Sequence, residues 1–241
     1  MTATLLVSEI KQPKLISHVT PIPSALFLNS YRYMGQLQSF SIDAVTTSDN
    51  IYAQKMIVTY THHVHIDLKR PNCLYVETSG DLKEKLYYLN NGYLTIYDRL
   101  THYYGELKIP KSIDKALDFL FEKYDVKSLL ANILYTDLDR RIPPKEKGYY
   151  FGVSEVDGIA CDHLGFVTQN YDYQVWIERR KHPLIRKFII IDTTHPLLPR
   201  SSTLLRWHLD RKPADACFFF EKPSDAVKID ITASATKEER S

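Results

Sequence analysis

The strongest pattern in the sequence is an alternation of apolar and polar residues between positions 56 and 69. Apolar side chains occupy one parity, namely Met56, Val58, Tyr60, Val64, Ile66 and Leu68. A period of two is that of a β-strand with one face buried and the other in water. Similar alternations fill residues 39–109 between turn signals such as Pro71-Asn72 and Asn91-Gly92. Together they predict an antiparallel meander of about six strands.

The period becomes helical in two regions. A loose helical spacing predicts a short helix between Pro21 and about Gln38. After Pro110, Ser112 is a suitable N-cap, and apolar residues then recur at helical spacing over 113–121. A second short helix is predicted at about 126–135. The charged, proline-containing linker that follows predicts irregular structure.

The second half returns to alternating runs. They predict strands at 148–156, 159–168, 173–180, 188–192, 203–209 and 216–220. We therefore expect a single domain over residues 21–232, with a helical insert at about 112–135, a flexible arm at 1–20 and a flexible tail at 233–241.

The number of strands predicts the fold class, which is mainly β (α+β). About eleven or twelve strands are more than a small, tightly packed barrel needs. We expect a curved antiparallel sheet, or incomplete β-barrel, whose hollow side is too wide for its own side chains. The helical insert is then the lid or plug of that hollow.

The amino-acid composition excludes several classes of protein. The 241 residues include 31 Lys+Arg against 29 Asp+Glu, and 44% are hydrophobic. These values exclude a mostly disordered chain and argue against nucleic acid as the main partner. No apolar run is long enough for a membrane span. The apolar start ends at Glu9 without a charged segment before it, so either an export signal was removed or the protein stays inside the cell.

The histidines and cysteines do not form a recognisable metal motif. In the cluster His62, His63 and His65, only the last two share a strand face, and no carboxylate at a fixed offset completes a ligand set. We predict a solvated strand face and no metal or cofactor. Three widely spaced cysteines, Cys73, Cys161 and Cys217, leave two alternatives open: three free thiols, or one disulfide and one free thiol.

Two further groups contain residue types found at catalytic or anion-binding sites. Cys161-Asp162-His163 places the thiol and imidazole on one face and the acid on the other, so the three cannot form a triad by themselves. No nucleophile elbow or nucleotide-binding glycine motif is present, and we predict that the protein is not an enzyme. The basic stretch 179–187 predicts a solvated hairpin tip, or alternatively a contact with anionic lipid headgroups.

Several motifs carry a resemblance to a known family. They are Lys69-Arg70-Pro71-Asn72, Tyr87-Tyr88-x-Asn90-x-Gly92, Ile113-Asp114-x-Ala116-Leu117-Asp118, Gly152-Val153-Ser154, Asp157-Gly158-x-Ala160-Cys161-Asp162-His163-Leu164, Gln174-Val175-Trp176-Ile177-Glu178 and Pro183-Leu184-Ile185-Arg186-Lys187. In this order, over about residues 22–230, they resemble a bacterial family of predicted periplasmic proteins of unknown function. That family is similar to the LolA/LppX-like lipoprotein-carrier superfamily.

The resemblance implies a half-barrel whose opening is covered by helices, a periplasmic location and a hydrophobic ligand. We therefore predict non-catalytic binding or carriage of a lipid or a lipoprotein acyl chain, with a lipoprotein or envelope protein as a further partner. The predicted lining is the apolar phase of the first strands: Val58, Tyr60, Val64, Leu74, Val76, Leu86, Tyr88, Leu94 and Ile96. The alternatives are a cell-envelope structural or interaction module with a filled core, and an enzyme that uses Cys161 or His163.

Overall fold

The computed structural model describes residues 21–124, 126, 129–141 and 148–232. The arm predicted at 1–20, the tail predicted at 233–241 and the linker residues 142–147 lie outside the described residues. Within them the order of elements follows the predicted one: a helix, six strands, short helices and a second set of strands.

The first half consists of α1 (Pro23–Gln36), β1 (Ser39–Tyr52), β2 (Met56–Lys69), β3 (Cys73–Gly80), β4 (Lys83–Asn90), β5 (Tyr93–Asp98) and β6 (Tyr103–Lys108). The helical insert consists of α2 (Ile113–Tyr124), α3 (Leu129–Asn132) and α4 (Leu138–Arg141). The second half consists of β7 (Gly148–Val156), β8 (Ile159–Val167), β9 (Tyr171–Glu178), β10 (Ile185–Asp192), β11 (Arg200–His208), a 3-10 helix (Asp215–Phe218) and β12 (Val227–Lys228).

All twelve described strands belong to one sheet, in the order β12-β6-β5-β4-β3-β2-β1-β11-β10-β9-β8-β7. Each half is a meander, and the two halves join where β1 pairs with β11, for example Thr46 with Thr203. Only β12 runs parallel to its neighbour, β6. The predicted fold class is confirmed: the protein is an open, curved, mainly antiparallel sheet with a few helices.

The helices cover one face of the sheet, which we call the inner face. α1 packs over the second half, where the Phe27 ring lies 5.0 Å from the Phe166 ring and Met34 is buried. A methyl group on Gly35 would clash with the backbone carbonyl of Thr136, so α1 approaches the insert more closely than any other residue there would allow. α2 and α3 cover β2–β5, and the main hydrophobic core lies between these layers.

The opposite, outer face is partly covered by the C-terminal segment 213–229. The Phe220 ring lies 5.2–5.6 Å from the rings of Tyr88, Tyr97 and Tyr104. Phe218 is buried in the same region. These contacts fix the segment against β3–β6, and it ends by adding β12 to the sheet edge.

Two local predictions are wrong. The strand predicted at 216–220 is the 3-10 helix, in which the Cys217 amide donates to the Ala214 carbonyl at 3.0 Å. Its apolar side chains pack onto the sheet instead of pairing with a strand. The linker predicted as irregular contains α4, because Leu138 is buried and Arg141 pairs with Asp137 one turn away at 2.6 Å.

Candidate functional site

A cavity of about 440 Å³ lies between the inner face of the sheet and helices α2 and α3. This volume falls in the range of small-molecule sites, roughly 300–1,000 Å³. The lining is formed by Thr46, Ser48, His62, Val64, Ile66, Leu74, Val76, Thr78, Lys83, Tyr87, Leu89, Leu94, Ile96, Leu117, Leu120, Val126, Leu130, Ala131, Leu134, Phe188, Ser201 and Thr203. Both halves of the sheet therefore contribute to one site.

Strand register arranges the lining in rows across the sheet. Directly paired residues of antiparallel strands share a face, so each row is a line of neighbours. One row runs Phe40, Leu68, Leu74, Leu89 and Leu94, and the next runs Ile42, Ile66, Val76, Tyr87 and Ile96. Two rows further along, the residues are Thr203, Thr46, His62, Gly80 and Lys83. The cavity is therefore apolar at one end and polar at the other.

The described residues of the helical cover that line the cavity are apolar. Leu117 and Leu120 of α2 face the cavity, and Leu130, Ala131 and Leu134 follow from α3 and the residues after it. Leucines of the cover thus oppose leucines of the sheet across an unfilled space. The apolar end of the cavity therefore favours a hydrophobic ligand.

The cover is attached to the sheet at the apolar end. The buried side chain of Arg70 donates from Nε to the Leu37 carbonyl at 2.9 Å, and its Nη1 lies 3.8 Å from a carboxylate oxygen of Asp114 in α2. Burial lowers the pKa of Arg70, and the Asp114 charge opposes that shift. The Ile113 amide donates to the Pro71 carbonyl at 2.9 Å. These contacts hold the start of α2 against the turn between β2 and β3.

Among the predicted lining residues, Val64, Leu74, Val76, Leu94 and Ile96 line the cavity. Val58 and Tyr60 have the same parity as Val64, but they lie further along β2, half-buried and outside the lining.

Leu86 and Tyr88 require a correction, because they lie on the outer face. Leu86 packs in the outer cluster with Ala226 and Tyr97, and the Tyr88 ring contacts Phe220. Their neighbours Tyr87 and Leu89 point into the cavity instead. Residues 86–89 are all apolar, so alternation alone does not assign their faces. The faces are assigned by the pairing of Gly80 with Lys83 across the β3–β4 turn, because this register sets Val76 opposite Tyr87.

The polar lining residues were not predicted as a site. Thr46, His62, Lys83 and Thr203 come from four different strands, and the sequence shows no motif that relates them. The sequence held one signal for this group, the alternation along β2, which places His62 on the same face as Val64 and His63 on the other face. The rest depends on how β1, β4 and β11 are paired.

The strand face of His65, predicted as solvated, is partly covered. His65 lies between two carboxylates, with Nδ1 2.6 Å from Asp43 and Nε2 3.2 Å from Asp67. Ser41 donates a hydrogen bond to Asp67, which is buried. The Asp67 and Asp43 contacts raise the pKa of His65 to about 9 against its partial burial. No group of metal-ligating side chains occurs in the part of the chain that the structure describes.

Cys161 and His163 lie in surroundings that do not activate them. Cys161 is fully buried, its Sγ donates to the Ile159 carbonyl at 3.3 Å, and burial raises its pKa to about 11. Nucleophilic cysteines require a lowered pKa. The His163 ring stacks on Trp176 at 4.1 Å and contacts Gln174 at 3.0 Å. This arrangement is that of packed core side chains.

Part of the basic stretch is paired with carboxylates. Arg186 donates to Glu178 at 2.5 and 2.8 Å, and Arg179 lies 3.2 Å from Asp162. Lys187 lies 4.8 Å from the centre of the Trp176 ring. Much of the local positive charge is therefore used within the fold.

Comparisons with known proteins found several similar structures and one matching family. Similar solved structures include the lipoprotein LppX of Mycobacterium tuberculosis (12% identity, 80% of this chain and 96% of that chain, TM-score 0.49). LprF from Mycobacterium bovis is also similar (13%, 87% and 100%, TM-score 0.46), as is a LolA superfamily protein from Nitrosomonas europaea (9%, 83% and 99%, TM-score 0.35). No curated protein matches the sequence.

None of the described helices is long and apolar enough to cross a membrane. The family that matches residues 24–232 is described as a predicted periplasmic protein, DUF2092, and it names no catalytic activity. The match confirms the resemblance and the periplasmic location that it implied. The chain belongs to this DUF2092 family of predicted periplasmic proteins.

Proposed function

We propose that this protein binds a lipid or an acyl chain, without catalysis, in the cavity between the sheet and α2–α3, and that residues 21–232 act as one domain. The observation that carries the proposal is a largely apolar, half-open cavity of about 440 Å³ between the sheet and the helices. An interior packed by its own side chains would have left no such volume.

The rows of leucine, isoleucine and valine supply the affinity. Transfer of each CH₂ group from water contributes about 0.8 kcal/mol, so a chain of about 14 carbons gains on the order of 10 kcal/mol before the costs of association. The proposed contacts on the sheet are Val64, Leu74, Val76, Leu94 and Ile96, with Tyr87 and Leu89 replacing the outer-face residues Leu86 and Tyr88. Leu117 and Leu120 contact the chain from the other side.

Entry and release are proposed to involve movement of α2 and α3. These helices line the cavity on the side away from the sheet, and the described polar contacts between α2 and the β2–β3 turn are Asp114 with Arg70 and Ile113 with Pro71. A ligand that binds better to the open or the closed arrangement shifts the balance between them.

The test is binding of a fluorescent fatty acid to delipidated protein, with the cavity filled by mutation. Val76→Trp places an indole among the central row, and we expect it to abolish binding. Val153→Trp makes the same change at an exposed position of β7 and should leave binding unchanged. If Val76→Trp alters the near-UV circular dichroism, Leu117→Trp in the cover is the second filling variant. Wild-type protein that binds no fatty acid and yields no lipid on extraction overturns the proposal.

One observation favours the alternative, an envelope interaction module. β7 ends the sheet, and Tyr149, Phe151 and Val153 are exposed along it, which is the kind of edge that accepts another strand. If the protein is such a module, the delipidated protein binds no fatty acid. The purified wild-type protein then captures an envelope partner, and Phe151→Ser prevents this capture.

A further inference from the structure

The polar end of the cavity is a continuous line of side chains across the inner face. Lys83 of β4 pairs with Gly80 of β3, which pairs with His62 of β2. His62 pairs with Thr46 of β1, and Thr46 pairs with Thr203 of β11. We call Lys83, His62, Thr46 and Thr203 the polar row. Gly80 carries no side chain, so none stands in the row between Lys83 and His62.

Hydroxyl groups make up much of the polar end of the cavity. Thr46 and Thr203 are buried, and their hydroxyl oxygens are 2.9 Å apart. Each hydroxyl has one donor and two acceptor sites, so this single bond leaves hydrogen-bonding capacity on both. Ser48, Ser201 and Thr78 add hydroxyl groups to the same end of the cavity.

The charge at this end is positive. Lys83 and His62 are the basic residues of the cavity lining, and no carboxylate occurs among its described residues. Burial lowers the pKa of His62, and the charge of Lys83 lowers it further. The nearest acidic group facing His62 is Asp81 of the β3–β4 turn, which accepts the Thr61 amide at 2.7 Å. The described lining residues can therefore donate hydrogen bonds to an anion, and the inner-face carboxylate of Asp98 in the adjacent row is paired with Lys85 at 3.3 Å.

We infer that the ligand is a single-chain amphiphile whose compact anionic group, a carboxylate or a phosphate, lies against the polar row while its chain lies along the leucine and isoleucine rows. This inference rests on the proposed function and adds the head group and the direction of the bound molecule. Charge-assisted hydrogen bonds from Lys83, with the His62 ring as the next polar side chain of the row, hold the head group.

The test compares ligands that share a 14-carbon chain and differ in the head group. Displacement of a neutral fluorescent probe from delipidated protein is measured for tetradecanoate, tetradecyl phosphate, tetradecanol and tetradecyltrimethylammonium. We expect both anions to bind about tenfold more tightly than the alcohol at low salt. Lys83→Met should remove this preference and leave the alcohol unaffected. Lys55→Met, in the exposed turn between β1 and β2, should change nothing.

The outcomes separate the two proposals. If the alcohol binds as well as the anions, or the cation binds best, the head-group inference is overturned and the hydrophobic cavity stands. If neither the probe nor any of the four compounds binds, the proposed function fails as well. Preference for the phosphate over the carboxylate, or the reverse, identifies which anion the polar row accepts.

A separate observation concerns Cys73 and Cys217. The cross-strand neighbours of Cys73 are Lys69 on β2 and Asn90 on β4. Lys69 Nζ lies 2.5 Å from Asp215, and Asn90 Nδ2 donates to the Phe218 carbonyl at 3.5 Å. Cys217 lies between Asp215 and Phe218 in the 3-10 helix. Because both of these residues contact the neighbours of Cys73, Cys217 is held above Cys73 on the outer face. Both thiols are partly exposed, and neither is in a disulfide in this structure.

We propose that Cys73 and Cys217 form a disulfide in the oxidising periplasm and attach the C-terminal segment to β3. The thiolate of one cysteine attacks a small-molecule disulfide, forms a mixed disulfide and expels one thiolate. The second cysteine then attacks the mixed disulfide and expels the other thiolate. The two protons lost by the cysteines go to the two leaving thiolates, and the oxidant is reduced to two thiols.

Intact-mass and peptide mapping after treatment with oxidised glutathione test this pairing. Burial raises the pKa of both thiols, so we expect slow reaction at pH 7 and faster reaction at pH 9. The expected product lacks two hydrogen atoms and yields one cross-linked pair of peptides. Cys217→Ser should abolish the product and Cys161→Ala should retain it. Three free thiols after prolonged oxidation, or a cross-link through Cys161, overturns the proposal.

Discussion

The charge on His65 gives the sharpest prediction for stability. His65 lies between Asp43 and Asp67 with its two ring nitrogens 2.6 and 3.2 Å from their oxygens. Its side chain is 23% exposed and that of Asp67 is 8% exposed. The carboxylates raise the pKa of His65 from 6.5 to about 9. At about 1.4 kcal/mol for each tenfold change in proton affinity, the protonated form contributes at most about 3 kcal/mol to the free energy of unfolding.

The sign follows from linkage. Because the pKa of His65 in the folded state lies above that in the unfolded state, its contribution is complete below pH 6.5 and is lost as the pH rises through about 9.

Asp67 contributes to stability at the other end of the pH range. Its pKa is lowered, against burial, by His65 and Ser41, so its contribution is present above the ordinary carboxyl pKa and is lost as the pH falls through the lowered one.

Urea unfolding of the wild type and His65→Gln between pH 6 and pH 10 measures this contribution. We expect the variant to be about 2–3 kcal/mol less stable at pH 6, with the difference falling to about 1 kcal/mol or less at pH 10. His63→Gln, at an exposed position on the same strand face, is the matched control and should change stability by less than about 0.5 kcal/mol. A difference between wild type and His65→Gln that stays constant from pH 6 to pH 10 would refute the reasoning.

Three further predictions concern packing and reactivity. Phe220→Ala removes the ring at the centre of the outer aromatic cluster and should lower the free energy of unfolding by about 2–3 kcal/mol in urea, whereas Phe219→Ala, at an exposed neighbour, should have no measurable effect. Gly35→Ala should lower the thermal midpoint by several degrees, roughly the effect of 1–3 kcal/mol, because its methyl group meets the Thr136 carbonyl; an unchanged midpoint in calorimetry would contradict the close approach of α1. Cys161 should resist iodoacetamide at pH 8 in reduced native protein and react once urea unfolds it, since it is buried and its pKa is raised to about 11.

Local chemistry in the sequence determined most of the elements. The period of two in β2 and the turn at Asp157-Gly158 predict the strands on either side, and both are confirmed. The helical spacing after Ser112 predicts α2. These signals are local because the pleat of a strand, the turn of a helix and the conformations that glycine permits all depend on neighbours in the chain. The same reasoning failed at 86–89, where both parities are apolar and only pairing across the β3–β4 turn assigns the faces.

The cavity and its polar row were decided by the tertiary structure. Thr46 and Thr203 become neighbours only because β1 pairs with β11 across most of the chain length. The burial of Asp67 and the setting of Cys217 depend on the C-terminal segment folding back over the outer face. The sequence by itself thus determined that this protein is a many-stranded sheet with an amphipathic helical insert. Which residues face a ligand was decided by long-range pairing, because strand register and burial arise from contacts between distant segments and leave no periodic signal in either one.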